Sequence, residues 1–534
     1  MRNHFKVTLF VLAAVLAGCQ PTAAPPAIKP VTGPLVRPAP VTGPITSPTV
    51  EPSGPSVQPV NHETASSGER EVWSVFYMQD QRVGFSHVVT RPVQDGGRTL
   101  LHTHGQSELT LNREGSVLTQ RIELQTWETP EGKLERFQSR RTSGPGEIVT
   151  QGKRLGAMML VATESLGKRE TKPVPFAENC GGYFAAEQSL ERSPLKAGES
   201  RTVPSLVPVI DQQGEIILTA LGEEEVSIRG LTQQLMKVKS DIKIAGQTLT
   251  TFCWIDSRGQ TLKTFDPSFK QEAYKTTREF ALAKEDLGKI DLLAVTTVPL
   301  TGKLRDVRPL FEATYVAKLK GDKIANHFAN DEFQQVTKVD DHTVRLTIAE
   351  LDRLSPVNRE RLSEPPTPED SAPNSLVQSD DAAIVRLANS LAGDRTEPFQ
   401  VALALAKGTR AHISKRTYAQ AFATAAEVVR TQEGDCTEHA VLLAALCRAR
   451  KIPARVVLGL VYYPPQKGFA YHMWNEVWVG NRWFPLDATV VQGTVGADHI
   501  KLRHASLHGE SAYAVMLPLL QVVGRLELEV VEVE

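Results

Sequence analysis

Between Thr431 and Val490 three residues with acyl-transfer chemistry stand in a fixed order, and one tight turn sets the spacing of two of them. The stretch opens Gly434-Asp435-Cys436-Thr437-Glu438-His439-Ala440 and passes through Ile452-Pro453-Ala454-Arg455. It closes with Tyr471-His472-Met473-Trp474-Asn475-Glu476-Val477 and Trp483-Phe484-Pro485-Leu486-Asp487. Gly480-Asn481, between alternating runs, is a two-residue hairpin signal. With that turn Val479 faces Arg482, and Trp474 faces Asp487. His472 and Asp487 then share one face of the ribbon as diagonal neighbours, roughly 7–8 Å apart at Cα, a gap that an imidazole and a carboxylate can close. A one-residue slip would send them to opposite faces.

Cys436 precedes apolar residues at helical spacing (Ala440, Leu443, Leu446 and Cys447), and Arg448, Arg450 and Lys451 suit a helix C-terminus. The thiol therefore belongs to the first turn of a helix, where unpaired N–H groups and the positive end of the dipole favour thiolate and lower its pKa below the free value of about 8.5. Its polar neighbours predict an accessible sulfur. Asp435 and Glu438 flank it and would weakly oppose the thiolate. Gly434 supplies a tight entry that lets the backbone approach a substrate. Trp474 is expected to shield the acid–imidazole pair from water, with Asn475 and Glu476 serving the fold. Each of the three has a competing reading: Cys436 as a structural thiol, which its polar neighbours oppose, His472 as a core histidine, the better reading of that residue alone, and Asp487 as a turn cap. Their joint order favours a nucleophile, a base and an orienting acid.

These motifs resemble the transglutaminase-like superfamily, relatives of papain-type thiol enzymes that carry Cys, His and Asp in this chain order. The resemblance covers about Ser375 to Val495 and rests on Gly-Asp-Cys-x-Glu-His-Ala, Ile-Pro-Ala-Arg, His-x-Trp-x-Glu-Val and Trp-x-Pro-x-Asp. It implies a thiol acyl-transfer domain with Cys436, His472 and Asp487 as its triad and no cofactor. The calcium-dependent animal cross-linking enzymes carry Gln before the Cys and Trp after it. Asp435 and Thr437 stand there in this chain, which turns the expectation from cross-linking towards amide hydrolysis and towards the bacterial envelope proteins that carry this domain.

At 534 residues the chain is too long for one core. Its fold class is read as multidomain: antiparallel β-rich N-terminal domains followed by an α+β transglutaminase-like (papain-like) domain. Residues 1–19 read as an export signal, with basic Arg2 and Lys6, an apolar run from Val7 to Ala17, and a lipobox-like Leu16-Ala17-Gly18-Cys19. Lipid on Cys19 would hold the protein to a membrane. Because Gln20 is not Asp, the expected place is the periplasmic face of the outer membrane. Residues 20–70 read as a proline-rich tether. Residues 71–275 alternate as an antiparallel β-domain, open or partly closed, and 276–350 form a second β-rich segment. Residues 351–374 read as a linker, and 375–534 as the catalytic domain.

His102 and His104 alternate on one face of the β-domain but carry no catalytic constellation. His499, His504 and His508 read as ordinary surface histidines, and no metal is expected. Cys180 and Cys253 permit a disulfide in an exported protein without requiring it. Cys436 and Cys447 cannot pair, since eleven residues of helix span about 16 Å, and Cys447 reads as core filler.

A net charge of −1 gives no case for nucleic acid. The expected partners are a protein or peptide substrate in the envelope and, through the lipid, a membrane. Two further readings stay open: a protein-glutamine transglutaminase, and a non-catalytic envelope scaffold.

Overall fold

In the computed structural model, the described residues are 68–533 apart from 114, 144–145, 166–167, 229, 286, 305–309, 322, 325, 350–363, 418–422 and 509–511. The export signal, Cys19 and nearly all of the tether lie outside them. No helix among the described residues is long and apolar enough to cross a membrane.

Fourteen strands, from Arg70–Met78 to Gln271–Thr276, form one antiparallel sheet. Strand Arg70–Met78 lies inside it, between Gln81–Asp95 and Gln271–Thr276. The edges are Lys168–Pro175 and Ser200–Val207, so the sheet is open. The period-2 pattern sets its two faces: in Ser116–Glu128, Leu118, Ile122 and Leu124 are buried while Arg121 is exposed. The buried face also holds a polar cluster, in which Asp211 accepts hydrogen bonds from Tyr183 and Ser139 and pairs with Arg141. No disulfide joins Cys180 to Cys253.

The second sheet has nine strands and combines two segments that read as separate in the sequence. Strand Val298–Thr301 pairs antiparallel with Gly468–Val479 at one end and parallel with Leu526–Val533 at the other. Strands Glu312–Leu319, Thr343–Ala349 and Gln334–Lys338 therefore extend the sheet that carries His472. The stretch expected to be a linker is also docked in its described part: the Glu364 carbonyl accepts from Trp483 Nε1 at 2.9 Å, and the Ala372 carbonyl accepts from Arg448 at 2.9 Å.

Helices Ala382–Ala392, Pro398–His412 and Ala425–Thr431 surround the cysteine helix, Cys436–Ala449. That helix is buried along nearly its whole length, Cys436 to Arg448, because it packs between the other helices and the sheet. Cys447 sits in this core, where burial pushes its thiol up to about 12.

Candidate active site

The cysteine helix begins on a capping box. The Asp435 carboxylate accepts from the Thr437 N–H at 2.9 Å, and Glu438 accepts from the Asp435 N–H at 3.0 Å. Cys436 is therefore the first helical residue, at the positive end of the dipole. Glu438 also accepts from the Ala423 N–H at 3.0 Å. Burial, reinforced by the neighbouring Asp435, pushes the Glu438 carboxyl well up, and burial also raises Asp435. These two acids therefore oppose a thiolate less than their proximity in sequence implies.

Gly434 has a structural duty at the helix start. A Cβ there would lie 2.3 Å from the Glu438 Cβ, so only glycine lets the capping acid fold back. The accessible sulfur is corrected: Cys436 is only 2% exposed, because the helix start is sunk between neighbouring elements.

The hairpin follows the expected register. Gly480 and Asn481 both adopt positive φ, +58° and +65°, as a type I′ turn demands. Val479 pairs with Arg482 and Asn475 with Leu486, so the next step sets Trp474 across from Asp487. The return strand ends at Leu486, and Asp487 turns in from its end. His472 Nε2 lies 2.8 Å from Asp487 Oδ2, and neither side chain is exposed. Burial alone would raise Asp487, but the charge and hydrogen bond of His472, with a further bond from His499, hold it well below the usual carboxylate range. Its Oδ1 accepts from the Thr489 N–H at 2.7 Å.

The histidine strand docks on the cysteine helix through Asn475, whose Nδ2 donates to the Ala440 carbonyl at 2.9 Å. His439 lies in the first turn of the cysteine helix, where the charge of Asp487 favours its protonation and that of His472 opposes it. On its own helix His439 contacts the Asp435 carbonyl at 2.6 Å through Nδ1, and burial drives its pKa down to about 4. Glu476 joins Arg455 and Lys501 in a buried ion cluster, with Lys501 also held by Asp331 at 2.7 Å.

Trp474 is buried, with its ring 6.0 Å from that of His472 and close to parallel. It needs Gly459, the cross-strand partner of His472, since a Cβ there would meet the indole at 2.4 Å.

One residue of the site escaped the sequence reading. His499 is not a surface histidine. It lies buried on strand His499–Ala505, with Nε2 3.2 Å from Asp487 Oδ2 and Nδ1 2.8 Å from Asp498 Oδ1. Its strand pairs with Ala454–Tyr463, a partner some forty residues back, so no local pattern marked it. The Asp498-His499 pair was the only available signal. His504, on the same strand rather than on a helix, is half-buried, and His508 is exposed.

Ligand-type atoms of His472, Asp487 and His499 lie within 4.8 Å of one another, close enough for an ion to bridge. Both Nε2 atoms already stand at hydrogen-bond distance from the same oxygen, which is the geometry of one acid held between two imidazoles.

The helix-start thiol and the histidine whose Nε2 meets a buried acid thus lie on a helix and a strand pinned together by Asn475. Residues 385–488 match the family model of the transglutaminase-like superfamily, so the C-terminal part of the chain carries a transglutaminase-like domain. Among solved structures, a candidate cysteine protease from Cytophaga hutchinsonii aligns at 16% identity over 42% of this chain and 84% of its own, with a TM-score of 0.25. A β-barrel-like protein of unknown function from Brucella abortus aligns at 10% identity over 40% of this chain and 97% of its own, with a TM-score of 0.30. A candidate protease from Parabacteroides distasonis aligns at 10% identity over 71% of this chain and 66% of its own, with a TM-score of 0.17. No curated protein matches the chain. The family match supports a papain-like thiol enzyme.

Proposed function

We propose that this chain is an envelope-anchored thiol hydrolase that cleaves amide or isopeptide bonds in a protein or peptide through Cys436, His472 and Asp487. The observation that carries the reading is the 2.8 Å contact of His472 Nε2 with the buried Asp487. It supports a reading in which Nε2 donates to the acid and Nδ1 exchanges a proton with the sulfur.

Nδ1 takes the thiol proton, and the thiolate attacks the carbonyl carbon. The Cys436 backbone N–H donates to the oxyanion. As the intermediate collapses, the C–N bond breaks and the imidazolium gives its proton to the leaving amine, which leaves a thioester. Water, deprotonated by His472, then attacks the thioester. The acid departs and the thiol is restored. Asp487 fixes the ring tautomer and stabilises the imidazolium in each half-reaction.

Asp435 and Thr437 beside the thiol favour water over an amine as the second nucleophile. The lipobox-like Leu16-Ala17-Gly18-Cys19 supports anchoring through lipid on Cys19.

An activated ester tests the chemistry without the natural substrate. Treated with p-nitrophenyl acetate, the wild type should release a burst of p-nitrophenol and carry an acetyl mass on Cys436. That adduct should decay to free acetate even with a primary amine present. Cys436→Ala should give neither burst nor adduct. An adduct resolved chiefly to the amide would make the enzyme a transferase, and an unmodified Cys436 in the wild type would remove the enzyme reading.

A further inference from the structure

We infer that His499 is a positioning residue of this site, a second imidazole that grips the same oxygen of Asp487 as His472 does and sets the pH range over which the thiol–imidazole pair is active. The inference rests on the proposed triad and deepens it.

Asp487 is entirely enclosed, and its Oδ2 receives two imidazole nitrogens, His472 at 2.8 Å and His499 at 3.2 Å. With Thr489 on Oδ1, the acid has no rotational freedom. His499 is itself held at its other nitrogen by Asp498. The two carboxylates therefore receive both ring nitrogens of His499, which is the hydrogen-bonding pattern of an imidazolium. The Trp474 ring meets His499 edge to face at 5.3 Å, and the His472 ring lies 5.7 Å away. These contacts keep water from the row.

The row reads Asp498, His499, Asp487, His472, alternating acid and base. Groups facing it from packed elements are His439 on the cysteine helix, with Arg410 from helix Pro398–His412 acting on that histidine. Tyr315, from strand Glu312–Leu319, lies within the field of Asp498 together with Tyr462 and donates its hydroxyl to the Ala497 carbonyl at 2.8 Å. Burial opposes a charge on His499, but Asp498 and Asp487 outweigh it and push the ring up to about 9.

The consequence follows from Coulomb's law. A cation on one side of Asp487 offsets part of the field that this acid exerts on His472. Without it, the acid would hold the His472 imidazolium more tightly, and that imidazolium would persist to higher pH and release its proton to a leaving amine less readily.

The test is the pH profile of Cys436 alkylation by iodoacetate, whose anionic attack is favoured by the imidazolium and so reports both limbs. His499→Gln keeps a donor towards Asp487 but removes the charge. Its alkaline limb should move up by about one pH unit. Asp498→Asn, a milder change should the first variant fail to fold, should shift the limb in the same sense by less. Thermal melting confirms folding of each.

Superposition of both folded variants on the wild-type profile would overturn the inference. His472→Ala separates this failure from failure of the triad. If His472→Ala changes the profile while the His499 and Asp498 variants do not, only the role of His499 is lost. If His472→Ala leaves the profile unchanged, the triad itself is wrong.

Discussion

The two sheets carry histidines of opposite character. On the fourteen-stranded sheet, His87, His102 and His104 sit half-exposed on one face. His102 stacks on Trp127 and contacts Gln125 at 3.1 Å, and His104 contacts Glu123 at 2.8 Å. Partial burial lowers His87 and His102, so these rings tend to neutrality. On the nine-stranded sheet, His472 and His499 are buried against carboxylates that are buried with them. Both regions pair imidazoles with polar partners across strands. Only the second withdraws acid and base together from water, where their interaction is strong enough to orient a ring and fix its protonation. Burial together with a counter-charge, rather than the presence of histidine, marks the site.

The largest effect should come from breaking the buried couple. Asp487→Asn keeps the shape but removes the charge, and should lower the rate of Cys436 acylation about 10³- to 10⁴-fold. Stopped-flow release of p-nitrophenol reads this directly.

Next comes Gly434→Ala. The added methyl strikes Glu438, whose two backbone hydrogen bonds hold the start of the cysteine helix. We expect a loss of about 1–3 kcal/mol in urea denaturation.

The pH dependence of stability sharpens the contrast further. His499 is raised in the folded state, so its contribution is present below the unfolded value of about 6.5 and is lost as pH rises through about 9. His439 is depressed, so its neutral burial contributes above about 6.5 and is lost as pH falls through about 4. Melting temperature should therefore decline on both sides of neutrality, and His499→Gln should flatten the alkaline decline.

The smallest effects belong to the first sheet. His102→Ala and His104→Ala should each stay within about 0.5 kcal/mol and leave acylation of Cys436 unchanged. A large loss of acylation in either would dissolve the contrast.

Much of the site could be read from the sequence because its parts are local. Gly480-Asn481 fixes a type I′ turn, and the turn fixes which residues face each other, so His472 and Asp487 were legible from a single hairpin. Ala440, Leu443, Leu446 and Cys447 recur at helical spacing and end in basic residues, which placed Cys436 at a helix start. What could not be read is what depends on distant pairing. The burial of Cys436 comes from elements packed over the helix, and the involvement of His499 comes from a strand that joins Ala454–Tyr463 after a long loop. The merging of strands 298–349 with the catalytic sheet depends on four-residue Val298–Thr301, which bridges two partners more than fifty residues apart in the chain. The open first sheet was legible in its alternation and turns, whereas its strand order, with Arg70–Met78 inside rather than at an edge, was not.

Iodoacetamide labelling of Cys436 at graded pH, in the wild type and in His472→Ala, tests the central claim most directly. The account predicts a wild-type thiol that reacts well below pH 7 and a variant thiol that titrates near the free value of about 8.5. Identical curves at the free-thiol position in both proteins would contradict it.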